Sequence, residues 1–277
     1  MEQPKKFIDL EKVLAEKSPK MAKLLPGFAT RYLKRIVHED ELNKGLNEFG
    51  HLRDSEFIEQ AFKLLEVTYT IEGLDELDPN ERYLFASNHP LGGLDGMILI
   101  HAIRKKFKSV KVPSNDLLMN ISQLQDNFIP VNKHGAQSKE NALLMDQTYA
   151  SNTPMFSFPA GLCSRKIKGK IEDLEWKKNF IVKAIKHKRP IVPVYFRGRN
   201  SSFFYNLARL RSFLGIKVNL EMLYLVDEMF KQKGQKLHVI VGKPIPVETF
   251  NSSHNPQYWA NWVKQQVYEL NKNYSKK

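Results

Sequence analysis

A chain of 277 residues with 42% hydrophobic side chains is long enough to bury a core and too apolar to be disordered. A single cysteine excludes an intramolecular disulfide framework, and no apolar run reaches the length of about eighteen residues expected of a membrane-crossing helix. Forty-three Lys and Arg against 30 Asp and Glu give a formal +13, which favours an anionic partner, either nucleic acid or an anionic membrane surface.

The opening MEQPKKFIDLEKVLAEKS turns polar before an apolar run develops, so no signal peptide is expected, and the lone cysteine suits a reducing cytosol. Residues 7–66 read as helical. Asp54 and Ser55 open the pattern EFIEQAFKLLE, in which Phe57, Ile58, Ala61, Phe62, Leu64 and Leu65 suit one buried stripe. Upstream, Met21, Leu24, Leu25, Phe28, Tyr32 and Ile36 recur at helical spacing beside Lys20, Lys23, Arg31, Lys34 and Arg35. Such a stripe either packs on a core or lies on a bilayer as a basic amphipathic element, and Pro26-Gly27 interrupts it.

From residue 67 short β-rich runs take over, at 67–71, 83–87, 109–113, 128–131, 155–158, 191–196 and 237–241. Helical patterns at 96–106, 138–150 and 176–188 alternate with them. A last amphipathic helix opens near Asn255-Pro256 with Trp259, Trp262, Val263, Val267 and Leu270 on one face. The expected architecture is α/β, a helical extension at 1–66 followed by one domain at 67–277 on a mostly parallel central sheet flanked by helices. In such sheets the loops after the strand C-termini carry the chemistry.

The run YLFAS leads directly into Asn88-His89-Pro90-Leu91-Gly92-Gly93-Leu94-Asp95-Gly96, and a helical pattern follows. Imidazole suits a general base near neutral pH, and a carboxylate such as Asp95 can fix its tautomer and stabilise the imidazolium. Gly92 and Gly93 let the loop fold tightly and bring backbone N–H groups close to a substrate. On these residues alone a second reading stands beside the first, with Asp95 capping the next helix and His89 packed in a turn.

The blocks NHPLGGLDG, FIPVN, FPAGLCSR and IVPVYFRG, in this order over roughly residues 67–245, resemble those of the lysophospholipid (glycerolipid) acyltransferase superfamily, in its bacterial hemolysin-like branch. The resemblance implies that His89 and Asp95 form a catalytic base and its partner. It further implies substrate contacts by Asn88, Gly92, Gly93, Pro159, Gly161, Ser164 and Arg165. The implied reaction moves a fatty acyl group from acyl-carrier protein or acyl-CoA to a lysophospholipid-type acceptor in membrane lipid synthesis. The implied location is the inner face of the cytoplasmic membrane, where the enzyme is peripheral and cytoplasmic. Three departures stand out. Five residues, Pro90 to Leu94, separate His89 from Asp95, one more than is usual. Ala160 replaces the usual glutamate and Arg165 lies two positions late, which keeps a lyso-aminolipid acceptor as the alternative, close behind a lysophospholipid. Asn132 and Lys133 stand where the second block usually ends in arginine. In the fourth block, Pro193 is expected at the wall of an acyl pocket.

Cys163 offers a thiol for an acyl-enzyme, although lone cysteines are more often small buried hydrophobes. The cations from Lys166 to Arg189 read mainly as a solvated helix face that can also touch anionic head groups, at about 1 kcal/mol each. Asp173 and Trp176 follow the third block, the latter as core or interfacial anchor. His101, His134, His187 and His238 form no close pair, so no metal is expected, and without a Walker loop or Gly-x-Gly-x-x-Gly no nucleotide cofactor is either. Most aromatics fall on predicted core faces, so no nucleic acid is expected; the rival is a basic membrane- or nucleic-acid-binding protein without turnover.

Overall fold

The computed structural model describes residues 5–17, 19–114, 119, 121–131 and 138–274, with backbone alone at 17, 20–22 and 273–274. The side chains of Lys20 and Met21, and all of Asn132, Lys133 and His134, lie outside the described part. The chain forms two compact units, Met1–Val67 with Asn200–Gln235, and Thr68–Arg199 with Lys236–Lys277.

The first unit is helical: α1 (Leu10–Lys17), α2 (Pro19–Leu24), α3 (Gly27–Ile36), α4 (Glu39–Phe49) and α5 (Asp54–Leu64), joined later by α9 (Ser202–Phe213) and α10 (Leu225–Phe230). Pro26 separates α2 from α3 and takes the extended N-cap position. Phe57, Ile58, Phe62 and Leu65 are buried as the α5 pattern predicts. The α2–α3 stripe divides, with Ile36 buried while Leu24 and Phe28 face out. Glu39, Asp40 and Glu41 open α4, where the helix dipole favours carboxylates. Buried Glu39 is satisfied by the Leu10 backbone N–H at 2.8 Å and by Lys6 at 3.2 Å.

The second unit is built on a five-stranded sheet. Its strands are β1 (Thr68–Glu72), β2 (Leu84–Ser87), β5 (Met155–Ser157), β8 (Ile191–Arg197) and β9 (Lys236–Val241), in the order β1-β9-β8-β2-β5. The pairs β1–β9, β8–β2 and β2–β5 are parallel, and only β8–β9 is antiparallel. Leu84 in central β2 pairs with Ile191 on one side and Met155 on the other. All four β2 residues are buried, as a strand covered on both faces requires. Leu84 and Ala86 join the core with Trp176, α8 (Asn179–His187) and α11 (Pro256–Tyr274), to which Trp259, Val263 and Val267 contribute. Phe85 points the other way, with its ring 6.0 Å from that of Phe107 on α6 (Leu94–Phe107).

Strands β3 (Val112–Ser114) and β4 (Phe128–Pro130) form a short parallel pair, and α7 (Lys139–Ala150) precedes β5. One sequence expectation is corrected here. Lys166, Lys168 and Lys170 lie on a hairpin, β6 (Arg165–Ile167) and β7 (Lys170–Glu172), and not on a helix face. Lys168 and Gly169 both have positive φ, at 47° and 83°, the backbone of a two-residue hairpin turn with glycine second. Helix α8 starts only at Asn179.

Candidate active site

The C-terminal ends of β2 and β8 hold the Asn88–Gly96 loop. Strand pairing runs to Ser87↔Val194, after which the Asn88 amide takes over. Its Nδ2 donates to the Phe196 carbonyl at 2.9 Å and its Oδ1 accepts from the Phe196 N–H at 2.6 Å. A side chain thus continues the ladder where the backbone turns away, and Asn88 is buried in doing so. Gly92 makes the turn at φ 82°, a conformation that costs any residue with a Cβ about 1–2 kcal/mol.

This turn brings His89 and Asp95 together despite the extra loop residue. His89 Nδ1 lies 3.0 Å from Asp95 Oδ2. The same oxygen accepts from the Leu91 N–H at 3.0 Å and the Gly92 N–H at 3.3 Å, while Oδ1 accepts from the Gly96 N–H at 2.9 Å. Asp95 sits in the first turn of α6 and is fully buried, so these donors and the helix dipole keep it ionised. Burial pushes its carboxyl up, yet His89 and the backbone N–H groups together hold it below the ordinary 3.8. Burial likewise pushes the His89 imidazolium down, but the Asp95 carboxylate outweighs it and holds the pKa above the usual 6.5. The Phe158 ring stacks on the imidazole, with centroids 3.9 Å apart and an 18° interplanar angle. One edge and one face of His89 are therefore fixed. Its Nε2 has no hydrogen-bond partner among the described residues, and the side chain keeps 16% of its surface exposed.

The FPAGLCSR loop is tied to the first loop by a carboxylate the sequence placed only nearby. Asp173 is fully buried and accepts at Oδ1 from the Ser164 hydroxyl at 2.6 Å and the His89 N–H at 3.2 Å, and at Oδ2 from Trp176 Nε1 at 2.9 Å. Burial pushes its carboxyl up in spite of those donors. The Asp173 N–H donates to the Tyr268 hydroxyl of α11 at 2.7 Å, and the Ser164 N–H donates to the His89 carbonyl at 2.8 Å. Trp176 is fully buried and belongs to the core. Pro159 and Gly161 shape a turn within the FPAGLCSR loop; the Gly161 N–H donates to the Phe158 carbonyl at 2.9 Å, and the Gly161 φ is 68°. Arg165 is buried, donates to the Cys163 carbonyl at 2.6 Å, and its charge reaches His89, where it favours the neutral ring.

Cys163 is fully buried, and burial pushes its thiol pKa up, so the thiolate that nucleophilic catalysis requires is disfavoured. Gly93, at the N-cap of α6, faces open space. Pro193 lies in β8 opposite Ala86 and packs on Gly242, where an added Cβ would come within 2.9 Å of its ring. Asp173, Phe158 and Tyr268 complete the assembly; Phe158 opens the FPAGLCSR block and Asp173 follows it closely, whereas nothing in the sequence points to Tyr268. The arrangement is that of a buried carboxylate holding an imidazole whose outer nitrogen is free to take a proton.

A family model described as Acyltransferase matches residues 12–276. The lyso-glycine lipid O-acyltransferase of Bacteroides thetaiotaomicron is 47% identical over 265 residues, which cover 95% of this chain and 97% of that one. Its counterpart from Phocaeicola vulgatus is 45% identical over 265 residues, covering 95% of each chain. Among solved structures, the 1-acyl-sn-glycerophosphate acyltransferase PlsC of Thermotoga maritima aligns with 94% of this chain and 96% of its own, at 16% identity and a TM-score of 0.49.

Proposed function

Since this chain belongs to that acyltransferase family, we propose that it transfers a fatty acyl group from a thioester donor to the free hydroxyl of a lyso-aminolipid. The single observation that carries the mechanism is the His89–Asp95 pair with Nε2 unoccupied. His89 Nε2 takes the proton from the acceptor hydroxyl as its oxygen attacks the thioester carbonyl, forming the new C–O bond. Collapse of the tetrahedral intermediate breaks the C–S bond, and the imidazolium returns the proton to the departing thiolate. The Gly93 backbone N–H, next to the Gly92 N–H that Asp95 already engages, is assigned to the oxyanion. Asp95 stabilises the imidazolium at both stages.

The acceptor reading is supported by the names of the two relatives. Ala160, in place of the usual glutamate, is buried in the core. Arg165 adds a positive field on the same loop, and Pro159 and Gly161 are assigned to the acceptor's polar end. Asn88 and Ser164 act by holding the two loops in place. The donor is acyl-carrier protein or acyl-CoA, and the +13 charge supports work at the inner face of the cytoplasmic membrane.

Thiol release from each donor, measured with a lyso-glycine lipid and with lysophosphatidic acid, tests this reading. Acceptor-dependent release with the aminolipid, abolished in folded His89→Ala, is the expected result. Equal activity in wild type and His89→Ala would overturn the mechanism, and preference for lysophosphatidic acid would overturn the acceptor.

A further inference from the structure

Phe213, Leu214 and Val218 are 86%, 58% and 68% exposed, more than large apolar side chains usually are on a monomer surface. The loop that presents them is nevertheless firmly built. Helix α9 ends with the Ile216 N–H on the Arg211 carbonyl and the Gly215 N–H on that of Ser212, both at 3.1 Å, and Gly215 adopts φ 69°. This is a Schellman ending, in which a left-handed residue lets the last carbonyls find donors. The Arg211 guanidinium then braces the loop, donating to the Ile216 carbonyl at 2.7 Å and to Glu221 at 2.9 Å, and Glu221 is fully buried. The apolar side chains are thus displayed by a fixed backbone.

Helix α3 belongs to the same unit and contacts the start of α9 through Tyr224. The Tyr32 and Tyr224 hydroxyls are 2.8 Å apart, and the Tyr224 ring packs at 4.9 Å on that of Phe203, which is itself exposed. Phe28 lies one turn before Tyr32 and is 70% exposed. Charge selects the occupant. From Ser202 to Tyr224 the cations are Arg209, Arg211 and Lys217, and the sole carboxylate, Glu221, is buried in its ion pair. On α3, Arg31, Lys34 and Arg35 line a shallow cleft with His38, Asp40 and Glu41. A second copy would bring like charge against like, and the Phe213–Val218 ridge carries a single ring among aliphatic Leu214, Ile216 and Val218, too few to stack successive nucleobases. An anionic bilayer satisfies both the apolar tips and the cations.

We propose that the Phe213–Val218 ridge seats the enzyme on an anionic lipid surface, with Phe213, Leu214 and Val218 in the acyl boundary and Arg209 and Lys217 among the head groups. The proposal rests on the lipid-acceptor reading for its purpose, but its test does not use turnover. Full-length protein is sedimented with phosphatidylcholine vesicles with and without phosphatidylglycerol. Phe213→Ser/Leu214→Ser is expected to weaken binding to the anionic vesicles at least about tenfold, because two apolar side chains lose their burial. Lys217→Gln is expected to weaken it roughly fivefold at low salt and less at high salt. Turnover on acceptor in neutral detergent micelles should stay at the wild-type level in both variants. Undiminished vesicle binding by the double variant would overturn the proposal. So would a wild-type dimer that the double variant dissociates while its vesicle binding is unchanged.

Discussion

Replacing Asp95 by asparagine keeps the side chain's shape and removes its charge, so the structure dictates what remains. Oδ2 accepts from three donors, His89 Nδ1, Leu91 N and Gly92 N, while Oδ1 accepts only from Gly96 N. The amide oxygen will therefore occupy the Oδ2 position, and the NH2 group will face Gly96 at the cost of that one bond. His89 keeps its tautomer and Nε2 remains the basic nitrogen. What is lost is the difference between a charge-assisted and a neutral hydrogen bond to the imidazolium, which forms only during the reaction. That difference is about 2–3 kcal/mol in a buried site, or roughly 30- to 150-fold in kcat/KM.

The pH profile supplies the second half of this prediction. The base works when neutral, and Asp95 raises its pKa, so the wild-type acid limb lies above the ordinary 6.5. Without the carboxylate, burial prevails and the limb moves to lower pH in Asp95→Asn, so the deficit shrinks as pH falls. Initial-rate measurements of thiol release across pH 5–9 (an interval of about two units on either side of neutrality) read both effects, with thermal unfolding as the check on folding. A folded Asp95→Asn variant with kcat/KM near wild type, or with an unmoved acid limb, would refute the assignment of Asp95 as the group that stabilises the imidazolium.

Gly92→Ala forces a Cβ into a left-handed turn and should destabilise the fold by about 1–2 kcal/mol, measured by urea denaturation, while lowering kcat through displacement of the His89 loop. Cys163→Ala should retain turnover within about threefold, since a buried thiol with a raised pKa is a poor nucleophile, and iodoacetamide should not label the native wild-type protein. Arg189→Met removes a fully buried guanidinium that donates to the carbonyls of Tyr83, Thr148, Tyr149, Ser151 and Thr153. Stranding those acceptors should cost about 3–4 kcal/mol in denaturant titrations, and an unchanged midpoint would show that the carbonyls find other donors.

Local features were legible before any fold was known. A strand, a glycine turn and a helix start are written in consecutive residues, and the His89–Asp95 contact is made within the loop from Asn88 to Gly96. The α11 face with Trp259, Val263 and Val267 followed from 3.6-residue periodicity alone. The Lys168-Gly169 turn was written just as locally, but the surrounding lysines obscured it within a basic run. Other features join residues far apart in the chain, and no local pattern announces them. Asp173 binds the His89 N–H from 84 residues away, and the Asn88 amide substitutes for a strand step against Phe196, 108 residues on. Asn200–Gln235 belongs to one compact unit with the N-terminal helices, although the strands on either side of it in the chain belong to the other. Periodicity and turn chemistry act over a few residues and so determine elements and the loop that carries the base. Strand order, the partner of a buried carboxylate and the exposure of Phe213 depend on which surfaces the folded chain covers, and only the tertiary structure decides that.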